Sequence, residues 1–279
     1  MDIYIRTPQK ADQFASIFQN KDVADVVNIF FNKKQMFIQS MDKSSVILSE
    51  VYLQSTWFDQ YDMMDESVTI GISSKILHMV LKTREKNQTI QLHYSSEESD
   101  KLFLYFHSEQ KNEYDKNFEL PLIDLTSDIL EIPPCNYTAE VTYSSDRFFG
   151  IVSQLKSMGD TVDIRCSEEK IIFSSQSLEK GKMSIEMLID EVESFAIEEG
   201  ETIHISFSLR YMEMICSYHK IAKEVELKFI SGKPICVTYF FEEDEEGEGE
   251  EEGESEKESK VRARILFYLS PKMDDDEED

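Results

Sequence analysis

Two stretches of the 279-residue chain decide its fold: IQLHYSSEESDKLFLYFH at residues 90–107 and VELKFISGKPICVTYFF at residues 225–241. Each predicts two strands, because alternating or aromatic runs flank a polar turn. The second stretch begins 135 residues after the first. Self-similarity at a fixed spacing indicates a repeated structural unit. The sequence therefore predicts two similar domains.

Upstream segments repeat at the same spacing. Ile29 corresponds to Ile164, and Phe37 corresponds to Ile172. Four helices are predicted from capping residues followed by apolar stripes at helical spacing. The caps are Thr7 (before Pro8), Ser73 or Ser74, Ser144 or Ser145, and Ser208; the stripes are Phe14, Ile17 and Phe18; Ile76, Leu77, Val80 and Leu81; Phe148, Ile151, Val152 and Leu155, ending at Gly159; and Tyr211, Met212 and Ile215. Each half thus reads strand, helix, three strands, helix, strands, which predicts an α+β fold of antiparallel sheets with helices on one face.

A connector separates the halves. Residues 124–136 contain polar and proline breaks, and Pro133-Pro134 forces an extended path because residues before proline avoid the helical region. The predicted organisation is an N-terminal domain at 1–123, a connector at 124–136 and a C-terminal domain at 137–279.

Charge narrows the possible functions. Lys and Arg number 29 against 56 Asp and Glu, which gives a net charge of −27. Phosphate affinity comes from Lys and Arg that release counterions, so this balance excludes a protein that grips nucleic acid by bulk electrostatics. Residues 242–260 and 272–279 carry −10 and −5 of the total. They predict an acidic insertion between two strands and an acidic tail. Either these segments are solvated and have no function of their own, or they are regulatory elements that bind basic partners.

The sequence shows no pattern typical of an enzyme, a metal centre or a membrane protein. The N-terminal residues do not resemble a signal peptide, and no window approaches the roughly 18 apolar residues that a spanning helix needs. Cys135, Cys166, Cys216 and Cys236 are widely spaced, so we expect reduced, mostly buried thiols. Catalytic carboxylate pairs, nucleophile–base pairs and Gly-rich phosphate loops are absent. We expect a soluble, intracellular protein with no enzymatic activity, cofactor or metal.

Six short motifs follow one another in an order and spacing known from one family. They are QSMDKSSV at 39–46, SKIL at 74–77, LEIP at 130–133, GDTV at 159–162, LRY at 209–211 and YLSPK at 268–272. With them the chain resembles the DNA sliding clamps of the proliferating cell nuclear antigen family. The resemblance implies a protomer that closes head to tail into a homotrimeric ring around duplex DNA. Implied clients are DNA polymerase, clamp loader, nuclease and ligase, which dock through short peptide motifs.

The resemblance also implies an apolar pocket for a client peptide with a helical turn and an aromatic plug. Its walls would be Met41, Val46, Leu48, Leu130, Ile132, Pro133, Tyr137, Pro234, Tyr268, Ser270 and Pro271. The residues themselves support this partly, because a surface connector with Leu130, Ile132 and two prolines is unusually apolar. The alternative is that these side chains pack on their own domain.

A DNA-facing surface is implied on the helices. The face opposite each apolar stripe carries Lys75, His78 and Lys82 on the second helix and Arg210 and Lys220 near the fourth. Gly150, Ser153 and Ser217 stand where cellular members of the family carry Arg or Lys. The sequence therefore predicts weak direct contacts with DNA, and the alternative is that these cations are ordinary solvated charges.

Ring closure would join two strand edges, residues 114–120 and 182–188. An unpaired edge can pair with another chain, and a head-to-tail contact closes a ring when the rotation permits. The predicted interface residues are Tyr114, Phe118, Leu120, Met183, Ile185 and Met187. Pro121 ends the first strand early, because proline lacks a ladder donor.

Two other functions remain open at this stage. One is a clamp-like subunit of a heteromeric checkpoint complex, favoured by Pro121 and the sparse channel charge. The other is an acidic chaperone or DNA mimic that binds basic proteins, favoured only by the net charge. A clamp would act in the nucleus, or at a cytoplasmic replication site if the protein is viral.

Overall fold

The computed structural model describes residues 1–20, 24–108, 110, 114–124, 129–241 and 262–272. The predicted acidic insertion and all of the acidic tail except Lys272 lie outside these ranges. The chain divides into two compact units, the first made of residues 1–40, 50–128 and 241–265 and the second of residues 41–49, 129–240 and 266–279. The changeover at 128 and 129 falls within the predicted connector. Among the described residues, 41–49, 241 and 262–265 belong to the unit opposite to the one that a simple division of the chain predicts.

Up to residue 121 the described chain forms nine strands and two helices. In order they are β1 (Asp2–Ile5), α1 (Pro8–Ile17), β2 (Val26–Asn32), β3 (Gln35–Met41), β4 (Ile47–Gln54), β5 (Gln60–Asp62), β6 (Ser67–Ser73), α2 (Ser74–Leu81), β7 (Thr89–His93), β8 (Lys101–His107) and β9 (Lys116–Pro121). The strands are arranged side by side as β5-β1-β7-β8-β9 and as β4-β3-β2-β6. The helices contribute the buried side chains Phe14, Ile17, Leu77, Val80 and Leu81 to the core of this unit.

The rest of the described chain repeats this plan. Its elements are β10 (Ala139–Ser144), α3 (Ser145–Met158), β11 (Thr161–Cys166), β12 (Lys170–Ser177), β13 (Gly181–Leu188), β14 (Ser194–Ile197), β15 (Ile203–Ser208), α4 (Leu209–Cys216), β16 (Glu224–Phe229), β17 (Ile235–Phe240) and β18 (Arg264–Leu269). The strand orders β14-β10-β16-β17-β18 and β13-β12-β11-β15 match those of the first half position by position. The predicted α+β fold with repeated halves and antiparallel sheets is confirmed.

Strand registers show where the repeat is regular and where it slips. Ile29 pairs with Ile38, and Ile164 pairs with Phe173, so both members of the pair shift by 135 residues. In the hairpins at residues 90–107 and 225–241, Ile90 pairs with Phe106 whereas Val225 pairs with Tyr239. The second strand is therefore displaced by 133 residues, because the turn after β16 is two residues shorter than the turn after β7.

The prediction of three strands between the helices of each half was wrong. Five strands lie there in each described half. The missed strands include β5 and β14, which have three and four residues. Strands this short contain too few residues for an alternating pattern to be recognised.

Helix boundaries agree with the predicted caps. Helix α1 begins at Pro8 after Thr7, and at the start of α2 the Ser73 side chain accepts a hydrogen bond from the backbone N–H of Ile76. Helix α3 ends at Met158. A Cβ on the next residue, Gly159, would lie 2.6 Å from the carbonyl oxygen of Gln176, so only glycine fits there. Within the described ranges no helix is long and apolar enough to cross a membrane.

Candidate functional site

All eleven residues predicted for the client pocket belong to the second compact unit. Met41 ends β3, Val46 lies in the loop that follows, and Leu48 lies in β4; each is half-buried. The other eight come from the connector, the turn before β17 and the end of β18. Contacts among these stretches decide whether they form one surface.

A single carboxylate, that of Asp42, holds the loop between β3 and β4. It accepts hydrogen bonds from the backbone N–H groups of Ser44 at 3.1 Å, Val46 at 2.7 Å and Ile47 at 2.9 Å. Aspartate suits this role because its short side chain reaches N–H groups two or more residues further on. Ser45 has a φ of 55°, a conformation that non-glycine residues rarely adopt. The Asp42 hydrogen bonds therefore stabilise the one loop shape that presents Val46.

A second contact ties Asp42 to helix α4. The Tyr211 hydroxyl donates to Asp42 Oδ2 at 3.0 Å. Partial burial would raise the pKa of Asp42, but the hydrogen bonds from three backbone N–H groups and from Tyr211 together lower it below its ordinary value. Sequence reasoning placed Tyr211 on the apolar stripe and missed this contact. The run Asp42-Lys43-Ser44-Ser45, typical of a turn built on an aspartate, was the available signal.

Asp42→Ala is expected to lower the free energy of unfolding by about 2 kcal/mol, because three backbone N–H groups lose their acceptor. Since the pKa is lower in the folded state, the stabilisation is fully present above the unfolded pKa of about 3.9 and is lost as the pH falls through the folded pKa. Urea unfolding of the wild type and of Asp42→Ala, at neutral pH and at a series of acidic pH values, measures the difference in the free energy of unfolding. Asp65→Ala, at an exposed acid before β6, is the control. Equal stability of wild type and Asp42→Ala at neutral pH would contradict the assigned role.

The end of the chain meets the same loop. The backbone N–H of Ser270 donates to the carbonyl oxygen of Val46 at 2.9 Å. Lys272 then fixes the chain on this unit, with its N–H bonded to the Ser206 carbonyl at 2.8 Å and its Nζ to Thr161 Oγ1 at 2.7 Å. These bonds place the final three predicted pocket residues beside the loop.

The described part of the connector exposes apolar side chains. Ile129 is 46% exposed and Leu130 is 49% exposed. Ile132 is half-buried, whereas Pro133 is exposed, as is Pro234 in the turn before β17. Leucine and isoleucine at this exposure on a loop without regular structure are typical of a surface that another molecule covers.

Tyr137 links the connector to β17 and β18. Burial, together with the neighbouring side chains of Cys236, Cys135 and Tyr268, raises the pKa of the Tyr137 hydroxyl well above its usual value. The Lys228 Nζ lies 5.8 Å from the centre of the Tyr137 ring. The structure thus places Tyr137 against the Cys236 side chain of β17.

The predicted DNA-facing residues of α2 differ in their surroundings. Lys75 is exposed and lies 3.7 Å from the carboxylate of Asp25, and Lys82 is exposed at the end of the helix. His78 is half-buried, and its Nδ1–H donates to the Phe18 carbonyl at 3.1 Å. His78 therefore joins α2 to the end of α1, and the two lysines supply the charge of this helix surface.

The fourth helix adds two more exposed cations. Arg210 lies in the first turn of α4, and Lys220 lies in the 3-10 helix Ser217–Ile221 that follows it. Sequence reasoning overlooked Met79, which is 60% exposed on α2. It is four residues after Lys75, so it shares that face of the helix.

Acidic residues on the other two helices contact basic side chains. Asp12 on α1 forms an ion pair with Arg84, whose side chain is 4% exposed. Asp146 on α3 contacts His219 Nδ1 at 2.7 Å. The Arg84 ion pair reduces the repulsion that the Asp12 carboxylate would exert on a phosphate backbone.

Both strands predicted to close a ring are outermost in their sheets. Strand β9 pairs with β8 and ends at Pro121, and β13 pairs with β12. Of the predicted interface residues, Leu120 and Met187 are buried, Phe118, Met183 and Ile185 are partly exposed, and Tyr114 is 80% exposed. Each edge thus presents apolar side chains that its own unit leaves uncovered.

The described ranges contain no cluster of three His, Cys, Asp or Glu side chains that could hold a metal ion. Cys166, Cys216 and Cys236 are buried free thiols and Cys135 is exposed, as the sequence predicted for most of them. Burial raises the pKa of Cys166 to about 11, so this thiol stays protonated at neutral pH.

Comparison with known proteins extends these observations over nearly the whole chain. Residues 10–129 match the family profile described as the proliferating cell nuclear antigen N-terminal domain, and residues 131–246 match that of its C-terminal domain. The chain is 24% identical over 265 residues to the proliferating cell nuclear antigen of Caenorhabditis elegans, covering 92% of each protein. It is 26% identical over 261 residues to that of Chaetomium thermophilum, covering 92% of this chain and 93% of the relative. The chain belongs to the proliferating cell nuclear antigen family of DNA sliding clamps.

Proposed function

We propose that this protein is a processivity clamp that encircles duplex DNA and tethers replication and repair enzymes through its connector surface. The observation that carries the proposal is the convergence in one compact unit of the Asp42-anchored loop, the end of β18 and the apolar connector. Pockets lined by rigid aromatic and aliphatic side chains anchor peptides. DNA polymerase, clamp loader, nuclease and ligase clients would insert a helical turn and an aromatic side chain there.

Ring closure as a homotrimer is the second part of the proposal. An exposed apolar strand edge in one protomer needs a complementary edge in the next, and β9 and β13 supply one edge each. Such head-to-tail pairing is heterologous and closes when the rotation between protomers divides a full turn. The protein would carry no catalytic activity and would act in the nucleus, or at a cytoplasmic replication site in a viral setting.

The proposed clamp would make only a few direct contacts with DNA. Each chain offers four exposed cations for contact with DNA, namely Lys75, Lys82, Arg210 and Lys220. The chain as a whole is strongly acidic. A closed ring cannot leave the duplex that passes through it unless the ring opens or reaches a DNA end. Few phosphate contacts are therefore needed to retain it. Sparse contacts also let the ring slide.

Free duplex binding should therefore depend only weakly on salt. A plot of log affinity against log salt should have a slope shallower than about −6. Each phosphate contact contributes about −0.9, and we expect the four cations of each of three protomers to make together at most about six contacts at a time. Lys82→Gln should make the slope shallower by about 1 or more. Lys34→Gln, an exposed lysine in the turn between β2 and β3, should leave it unchanged. Fluorescence anisotropy with a short duplex measures the slopes of the wild type and the variants. A slope steeper than about −6 would show that many phosphate contacts hold the protein on DNA.

A further inference from the structure

The first compact unit carries a strip of aromatic side chains on the sheet face away from its core. On β8, Leu102, Leu104 and Phe106 are buried, so the alternating residues Phe103, Tyr105 and His107 point to the opposite face. His93 on β7 lies directly opposite Phe103. We call His93, Phe103, Tyr105 and His107 the aromatic strip.

The four rings of the aromatic strip form one continuous surface. Ring centres are 5.8 Å apart for His93 and Phe103, 6.4 Å for Phe103 and Tyr105, and 6.0 Å for Tyr105 and His107. The Phe103 and Tyr105 planes are inclined by 7°. All four side chains are partly exposed. Aromatic rings attract cations through their π electrons, so a row of partly exposed rings offers a cation several contacts.

Carboxylates flank this surface. Glu119 on β9 lies opposite Phe103, and Asp2 on β1 lies opposite His93. Residues directly opposite in an antiparallel pair project to the same face. Asp2, His93, Phe103 and Glu119 therefore form one row across four strands, with a carboxylate at each end.

The electrostatic environment agrees with the register. Burial, followed by the negative charges of Glu119, Asp2 and Glu98, raises the pKa of Tyr105. The nearest cation on β8 is Lys101, whose Nζ bonds to Glu119 at 2.8 Å. Carboxylates therefore lie close enough to the strip to act on the Tyr105 hydroxyl, and one of them, Glu119, is paired with Lys101.

The histidines at the two ends are paired with further carboxylates. His93 Nδ1 is 2.8 Å from Asp2 Oδ1, and His107 Nδ1 is 3.3 Å from Asp115 Oδ2. On the neighbouring β1, the Arg6 guanidinium lies 5.3 Å from the centre of the Tyr4 ring. This last contact shows the same sheet face receiving a guanidinium over an aromatic ring.

We propose that the aromatic strip is a docking surface for a basic, arginine-containing segment of a partner protein. A guanidinium would lie over Phe103 and Tyr105, with its N–H groups directed to Glu119 or Asp2. Arginine fits better than lysine because its planar group stacks on rings and bonds carboxylates in pairs. Nucleic acid fits poorly, because its phosphates would meet the flanking carboxylates. None of these residues belongs to the client pocket, so the strip is a separate site.

The test uses the full-length protein and a fluorescein-labelled peptide of alternating glycine and arginine at physiological salt. Phe103→Leu/Tyr105→Leu should weaken binding about tenfold, because two ring contacts with the guanidinium are lost. Tyr105→Phe keeps the ring and should bind like the wild type. Every variant retains residues 242–260, so non-specific binding to that acidic run cancels in the comparison.

A charge-matched pair supplies the control. Glu119→Gln should weaken binding about threefold, as expected when one partly exposed carboxylate is removed. Glu186→Gln removes the same charge from β13, where Glu186 lies 3.0 Å from the Nζ of Lys170 on β12, and should have no effect. Nuclear magnetic resonance should show the peptide shifting the ring signals of His93 and His107, a readout that remains valid if the leucine variant is unstable.

Three results would overturn the proposal. The first is unchanged binding by the leucine variant when its thermal unfolding matches the wild type. The second is equal weakening by Glu119→Gln and Glu186→Gln, which would indicate attraction to the acidic chain as a whole. The third is displacement of the peptide from the strip by a single-stranded oligonucleotide that binds the wild type and not the leucine variant, which would identify nucleic acid as the occupant.

Discussion

Leu130→Ala/Ile132→Ala is expected to weaken binding of a client peptide at least about 30-fold, because truncating two apolar anchors of a peptide pocket costs roughly 1 kcal/mol or more each. Leu130 is 49% exposed and Ile132 is half-buried in the isolated chain, so the thermal unfolding midpoint should change little. The measurement is fluorescence anisotropy with a labelled peptide that has a helical turn and an aromatic plug.

A matched control separates this effect from a general loss of apolar surface. Leu178→Ala/Ile189→Ala truncates one leucine and one isoleucine that are also exposed and lie outside the pocket, and it should bind the peptide like the wild type. If both double variants bind equally well, the connector is not the client site. If both lose binding, the peptide is recognised by apolar surface in general.

Ile185→Glu is expected to convert the proposed homotrimer of about 98 kDa, three chains of 32.6 kDa, into monomers. Ile185 lies on the outermost strand β13, and its partly exposed side chain would be covered by β9 of the next protomer. Burying an unpaired carboxylate there costs several kcal/mol, which is enough to raise the dissociation constant at least about 100-fold. Size-exclusion chromatography with light scattering gives the mass directly.

Ser184→Glu is the control for added charge. The Ser184 side chain neighbours Ile185 in sequence, but it is exposed on the opposite face of β13. It should remain trimeric. A wild-type protein that is monomeric at every concentration would contradict the homotrimer and favour a subunit of a heteromeric complex. A trimer that Ile185→Glu leaves intact would place the interface elsewhere.

Local sequence patterns predicted the elements that have a clear period or cap. The helices beginning at Pro8, Ser74, Ser145 and Leu209 were identified because a cap precedes an apolar stripe. The short strands β5 and β14 were missed, since three or four residues carry no usable alternation. The slip of two residues between the repeated hairpins follows from turn length, which becomes visible only when the pairing is known.

The candidate site was less accessible to sequence reasoning. The hydrogen bond between Asp42 and Tyr211 joins residues 169 positions apart, and no local pattern encodes such a contact. The pocket residues were inferred from family resemblance, because apolar side chains on a connector are equally consistent with packing on their own domain. The aromatic strip was also missed: alternation predicted the strand, but the carboxylates beside it come from β1 and β9.

The net charge of −27 argues against retention on DNA by bulk electrostatic attraction, so the proposed clamp would be retained by encirclement. The most direct test loads the protein onto nicked circular DNA with its clamp loader, washes at high salt, and then cuts the circle once. Encirclement predicts that the protein survives the wash and leaves after the cut, through the free ends. Loss during the wash, or retention on the linear product without blocked ends, would contradict the account.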